Sequence, residues 1–341
     1  MKNNFFIFIT ISLILIGLFI ADLFFGSVHI PVKNILQTFF TGTSGKDEWN
    51  LIIINFRLPK AITAIMAGTA LSVSGLQMQT MFRNPLAGPD ILGISSGASL
   101  GVAFVLLGFT SLLGLQTHDA LASWVMVLAA WIGAGTILLL IFAISLRVND
   151  IMTILILGIL FGSVSAAIVS ILQYFSNEVM LKSFLVWSMG SLGNVSGSHL
   201  AVLVPSVCAG LILSLLSVKM LNLMLLGENY AKSMGLNVNL SRFLIFLSTS
   251  ILAGSITAFC GPIGFIGIAV PHICRMIFKT SDQKTLLFAS MIMGASIMLL
   301  SDLVSQLPGN GVVLPINTVT ALLGIPVIIW IIFRNKRIAS V

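Results

Sequence analysis

Ten apolar runs separated by short polar breaks shape this chain, at roughly residues 5–25, 61–82, 91–109, 120–146, 151–173, 200–218, 243–260, 263–278, 286–307 and 312–333. A helix of about 20 residues spans the hydrocarbon layer of a bilayer, whereas barrel strands would be about ten residues long and alternate in polarity. The pattern predicts an all-α polytopic membrane protein with ten transmembrane helices. The first run follows Met1-Lys2, but it is long for a signal peptide and lacks a small-x-small cleavage site, so it reads as a retained first helix. Composition strengthens the picture: 57% of residues are apolar, 8% are charged, and the mean hydropathy is +1.11. The connections are short, which predicts a single transmembrane domain over residues 1–341. Three of them are informative. Residues 26–60 read as an outer loop with an amphipathic part (HIPVKNILQTFF) and a polar tip, residues 174–199 as an outer excursion holding a short interfacial or pore-side helix, and residues 219–242 as the largest inner loop.

A net charge of +7 would suggest a nucleic-acid partner for a soluble protein, but here the distribution of the cations decides. Alternating through ten spans places Lys33, Lys46, Arg57, Lys60 and Lys182 on one side and the other twelve of the 17 Lys and Arg residues on the opposite side. The positive-inside rule then makes the twelve-cation face cytoplasmic. Both termini and segment 219–242 lie on that face, and no nucleic-acid partner is predicted. Cys208, Cys260 and Cys274 lie in or beside apolar runs and read as small buried hydrophobes. His29, His118, His199 and His272 are scattered, so no metal site is expected.

Energy coupling is absent from the pattern. Asp22 and Asp302 fall near the outer ends of their spans, and no carboxylate sits mid-span as an ion relay would require. The only Gly-Lys pair, Gly45-Lys46, is followed by Asp47, so there is no phosphate-binding loop. The chain is therefore expected to have no catalytic residues and no cofactor of its own, with any driving energy supplied by another subunit.

Broken segments and a weak repeat point to a transport pathway. Ala67, Gly68, Gly75 and Pro85 recur as Ala253, Gly254, Gly261 and Pro271, each displaced by 186 residues. Spans two and seven are an odd number of crossings apart, so the repeat of spans 2–5 in spans 7–10 would be inverted. In RNPLAGPD, residues 83–90, Pro85 and Pro89 interrupt helical hydrogen bonding, which suits a gate or a pore lining. CGPIGFIGIAVPH, residues 260–272, is a second such break. In GENYAKSMG, Glu228 and Lys232 form an i,i+4 pair, Leu226, Tyr230 and Met234 share a face, and Gly235 ends the helix. Ala231 and Gly235 are small enough for close approach. The residues alone leave two readings open: a helix resting on the membrane, or a rigid knob seated in a groove of a soluble partner.

RLPK, AGTALSVSGLQMQTMFRNPLAGPDILGISSGASLG, GENYAKSMGLNV, CGPIGFIGIAVPHICR and LPINTVTALLGIPVIIW, spread from Arg57 to Trp330, resemble the permeases of the iron-siderophore, haem and cobalamin (FecCD-type) family of ATP-binding-cassette importers. The resemblance implies a fold of ten helices per subunit and two permeases, alike or closely similar, forming one pore. It implies a cytoplasmic ATPase dimer that binds ATP-Mg, and an extracellular or periplasmic binding protein. Glu228, Tyr230, Ala231, Lys232, Met234 and Gly235 would form the coupling helix that seats in the ATPase. Arg57 and Lys60 would meet carboxylates of the binding protein, Asn84, Pro85 and Leu86 would form the cytoplasmic gate, and Gln306 stands where a further outer arginine is expected. The expectation is a permease in the bacterial plasma membrane that imports an iron-siderophore or haem-like chelate by ATP-driven alternating access. The rivals are a stand-alone ion-coupled secondary transporter and an exporter or scaffold-like membrane protein.

Overall fold

The computed structural model describes all residues except 1, 27, 29, 43–45, 91, 110–119, 146, 149–150, 309–311 and 337–341. Among the described residues, seven helices are long and apolar enough to cross a membrane, and three shorter apolar helices occupy the places of the third, eighth and tenth expected spans. Helix α1 is Lys2–Phe24 and α2 is Val32–Thr41. Helix α3, Asp47–Leu51, runs through a π-helical stretch, Ile52–Arg57, into α4, Leu58–Met81. The expected outer loop 26–60 is thus helical over much of its length. Asp47 and Glu48 complement the helix dipole in the first turn of α3, and Ile52 to Ile54 carry the apolar pattern onward into α4.

Helix α5, Ile94–Ala103, continues as a π-helical stretch, Phe104–Phe109. Then follow α6 (Ala120–Ser145), α7 (Ile151–Tyr174) and α8 (Glu178–Ser188), the short helix expected in the outer excursion. Asn177 caps α8, accepting the Met180 N–H at 2.9 Å. Helix α9 is Gly197–Leu216, α10 is Val218–Leu225 and α11 is Glu228–Ser233. Most of the expected inner loop 219–242 is therefore helical, with α10 following α9 almost directly. The remaining helices are α12 (Val238–Cys260), α13 (Ile266–Phe278), α14 (Gln283–Ser305) and α15 (Ile316–Lys336).

In lipid, helices associate through close packing of small residues rather than through a hydrophobic drive. The heaviest packing joins α4 to α14, where Gly68 and Gly294 put backbone on backbone: a Cβ built on Gly68 would lie 2.1 Å from the Gly294 carbonyl oxygen. Lower on α4, a Cβ on Gly75 would lie 1.8 Å from the Gly267 oxygen, so the first turn of α13 abuts α4 directly.

The pairings of the two halves are reciprocal. Helix α4 packs on α14 as α12 packs on α6, and α5 packs on α6 and α7 as α13 packs on α14 and α15. The 186-residue displacement does not carry this symmetry. It matches Gly75, inside α4, with Gly261, which follows the end of α12, and it matches Pro85, in a loop, with Pro271, inside α13. Cys260 and Cys274 are buried as expected, but Cys208 is exposed on α9. His199 accepts the Ser196 N–H in the capping box of α9, while His29 and His118 lie outside the described residues.

Candidate functional site

The motifs gather at the two ends of the bundle. At one end stands α11, fixed to the bundle from below. Gly227 begins it, Ala231 is wholly buried beneath it, and Glu228 pairs with Arg242 of α12. Its exit is a Schellman turn: the Gly235 N–H donates to the Lys232 carbonyl and the Leu236 N–H to the Ala231 carbonyl, each at 3.0 Å. Gly235 takes φ +83°, which glycine adopts without Cβ strain. Two expectations change here. Glu228 engages Arg242 rather than Lys232, and Ala231 anchors α11 inward instead of lying on an outer contact face. The stripe itself is outward: Leu226, Tyr230 and Met234 are 63%, 52% and 59% exposed.

Beside α11 lies a cavity of about 550 Å³ lined by Arg83, Met224, Glu228, Tyr230, Lys232 and Arg242, among others. Arg83 was not singled out in the sequence. It sits at φ +46° just after α4, and its Nη2 donates to the Met224 carbonyl at 3.0 Å. The segment that follows it holds the expected gate residues. Asn84 Oδ1 accepts the Leu86 N–H at 2.9 Å in a local turn, and the Pro85 carbonyl oxygen lies 2.8 Å from His272 Nε2 of α13. Residues 84–86 are thus tied to the α10–α11 segment through Arg83 and to α13 through His272.

The other end carries Arg57 and Lys60. Arg57 is buried, with Nη1 donating to the carbonyls of Leu23 (2.8 Å) and Phe24 (2.9 Å) and Nη2 donating to that of Val28. It closes the C-terminal end of α1, where four carbonyls lack helical partners. Lys60 reaches Asp302 of α14 at 2.6 Å and Asp22 of α1 at 3.9 Å. Gln306 joins them, with Nε2 donating to Asp302 Oδ2 at 2.9 Å and to Asp22 Oδ1 at 3.3 Å. Both carboxylates are buried, so the group ties α1, α4 and α14 together. A cavity of about 470 Å³ opens here, lined by Arg57, Lys60, Asp302 and Gln306 together with residues 190–194 and 313–316.

Further polar contacts join the two interior breaks to their neighbours. Arg275 of α13 donates to Gln79 of α4, whose own Nε2 donates to the Ile268 carbonyl at 3.1 Å. Asp90, at the end of the segment expected to form a gate or line a pore, accepts from the Ser95 hydroxyl at the start of α5.

Long apolar helices, two interior breaks and polar clusters at both ends define a polytopic membrane permease. The chain belongs to the FecCD transport family, which it matches over residues 13–334. It is 35% identical over 316 residues to the hemin transport system permease protein HmuU of Yersinia pestis, with 92% of each chain covered. It is 36% identical over 298 residues to the vitamin B12 import system permease protein BtuC of Klebsiella pneumoniae, covering 85% of this chain and 86% of that one. A solved inward-facing structure of an ABC transporter of metal-chelate type superposes with a TM-score of 0.81 at 28% identity, covering 96% of this chain and 99% of the other. The chain is accordingly a multi-pass permease of the bacterial inner membrane.

Proposed function

We propose that the chain is the permease subunit of an ATP-binding-cassette importer that moves an iron-siderophore or haem-like chelate into the cytoplasm. The α11 end faces the cytoplasm and the Lys60 end faces outward, an orientation supported by the twelve-to-five split of the cations. A second permease, identical or closely similar, completes the pore. ATP with Mg²⁺ is bound and hydrolysed by a separate ATPase dimer.

The observation that carries this reading is α11. A short helix is locked to the bundle by Ala231 and the Glu228–Arg242 pair, yet its Tyr230 and the flanking Leu226 and Met234 are exposed. An anchored knob with an unpartnered apolar stripe suits a groove in a soluble motor subunit. Closure of the ATPase dimer would displace α11, and Arg83 and His272 would pass that displacement to residues 84–86 and α13. Alternating access then follows from rocking of the two permeases, with no bond of the cargo made or broken. On the outer face, a binding protein that reaches Arg57 or Lys60 must compete with Leu23, Phe24, Asp22 and Asp302, so docking there would loosen the junction of α1 with α4 and α14.

Uptake into proteoliposomes tests the reading. The chain assembled with its ATPase and binding protein takes up ferric chelate only with ATP inside the ATPase compartment. Uptake by the chain alone under a proton or sodium gradient would establish the secondary-transporter alternative instead.

A further inference from the structure

The loop between α4 and α5 does not stay at the membrane face. Ala87, Gly88, Pro89, Leu92 and Gly93 are buried, and a Cβ on Gly267 would lie 3.2 Å from Pro89 Cδ and 3.5 Å from the Gly75 Cα. Gly75 lies six residues before Met81, or about 9 Å up α4 at 1.5 Å per residue. Asp90 therefore enters the membrane interior, where a carboxyl group without function is costly to keep.

Asp90 lines a cavity of about 500 Å³ together with Ser96 and Ser99 of α5, Ser170 and Gln173 of α7, and Asn317 of α15. Two of these are oriented from behind. Asp90 Oδ1 accepts from the Ser95 hydroxyl, and Asn317 Oδ1 accepts the Gly264 N–H at 3.1 Å. Gly264 separates the two side chains: a Cβ there would sit 3.6 Å from Asn317 Oδ1 and 3.7 Å from Asp90 Oδ2. Among the described lining residues there is one carboxyl group, several hydroxyls and amides, and no Lys, Arg or His.

We propose that this cavity is a ligand-binding step on the translocation path, taking a neutral or cationic chelate rich in amide, hydroxyl or hydroxamate groups and discriminating against anionic chelates. The proposal rests on the chelate-import reading above and narrows it, favouring the siderophore over the haem-like cargo. Hydroxyl and amide side chains satisfy the polar rim of such a ligand in a region poor in water, and the Asp90 carboxylate favours a cation. An anionic ligand meets a carboxylate and no base, so its charge is desolvated without compensation.

The test uses the complete transporter in proteoliposomes with four probes: a cationic ferric trihydroxamate, neutral cyanocobalamin, an anionic ferric tris-catecholate and haem, which carries two propionates. The native protein should favour the first two. Asp90→Asn should lower the ratio of cationic to anionic uptake about tenfold, the scale of one lost charge-assisted hydrogen bond. Ser99→Ala, which leaves the Asp90–Ser95 contact in place, should lower uptake of the trihydroxamate and cyanocobalamin more than that of haem. ATPase activity stimulated by the permease should hold in both variants, showing that they are assembled. Equal loss of all four probes, or a native preference for the anionic pair, overturns the proposal. A native transporter that moves none of the four overturns the chelate-import reading, and this proposal with it, whereas failure of charge selectivity in an active transporter overturns this proposal alone.

Discussion

At the Lys60 end, Arg57, Lys60, Asp22, Asp302 and Gln306 engage one another and backbone carbonyls, with Asp22 Oδ2 alone among their buried polar atoms left without a hydrogen bond. At the α11 end, Tyr230 on the helix and Leu226 and Met234 flanking it stand more than half exposed, and the exit of the helix is closed by its own turn. The contrast separates two ways of meeting a partner. A surface whose charges already have internal partners can be engaged only by exchanging those partners, so binding there is linked to a change in helix packing. A preformed apolar stripe binds without such an exchange, and its loss leaves the permease itself intact. The Lys60 end thus uses its charges for internal packing, whereas the α11 end sets its Glu228–Arg242 pair beneath an exposed apolar surface.

Removal of Lys60 should give the largest effect on stability. Lys60→Met leaves Asp22 and Asp302 facing each other, both buried, with only Gln306 as a shared donor. Breaking a buried ion pair from one side costs on the order of 3–5 kcal/mol. Thermal unfolding in detergent should show a clear loss for Lys60→Met and partial recovery when Asp22→Asn is added. A stable Lys60→Met protein with weakened affinity for a binding protein would instead make Lys60 a free docking cation and erase the contrast between the two ends.

Arg57 comes next. Lysine keeps the charge but cannot reach three carbonyls with a planar fork, so Arg57→Lys should cost about 2 kcal/mol through carbonyls left without donors. Limited proteolysis between α1 and α4 should speed up in this variant, because the guanidinium is what pins Leu23, Phe24 and Val28 to the start of α4. An unchanged cleavage rate would show that these carbonyls find other donors and that Arg57 is available for docking.

What the residues reveal in advance follows the range of the interactions. The apolar runs and the Gly235 helix stop are set within one or two helical turns, and they are legible from spacing alone, whereas Leu226 joins Tyr230 and Met234 in exposure only, since Gly227 at φ +115° separates it from their helix. The partner of Glu228 was not legible. The i,i+4 rule points to Lys232, but Arg242, 14 residues on, is brought in by the Schellman turn and the start of α12. Arg57 reads as an exposed outer cation, yet its acceptors lie 29 to 34 residues earlier, where the end of α1 returns to α4. The depth of Asp90 was not legible for a related reason. The prolines mark a break in the helix but not its depth, which is fixed by contact of Pro89 and Gly75 with Gly267 in the other half.

The smallest effect on stability should accompany a large effect on assembly. Met234 is exposed and follows the last turn of α11, so Met234→Glu removes no buried contact and should change unfolding by no more than about 0.5 kcal/mol. A carboxylate placed in the stripe, however, must be desolvated when a groove closes over Tyr230 and Leu226. Retention of the ATPase on affinity-purified permease should fall at least about tenfold, equivalent to one uncompensated polar group at the interface. Leu226→Glu, at the other end of the same stripe, should act alike, while Ser233→Ala, off the stripe, should not. If both glutamate variants retain the ATPase fully, the stripe faces lipid rather than protein, and the two ends of the bundle no longer differ in the way they meet a partner.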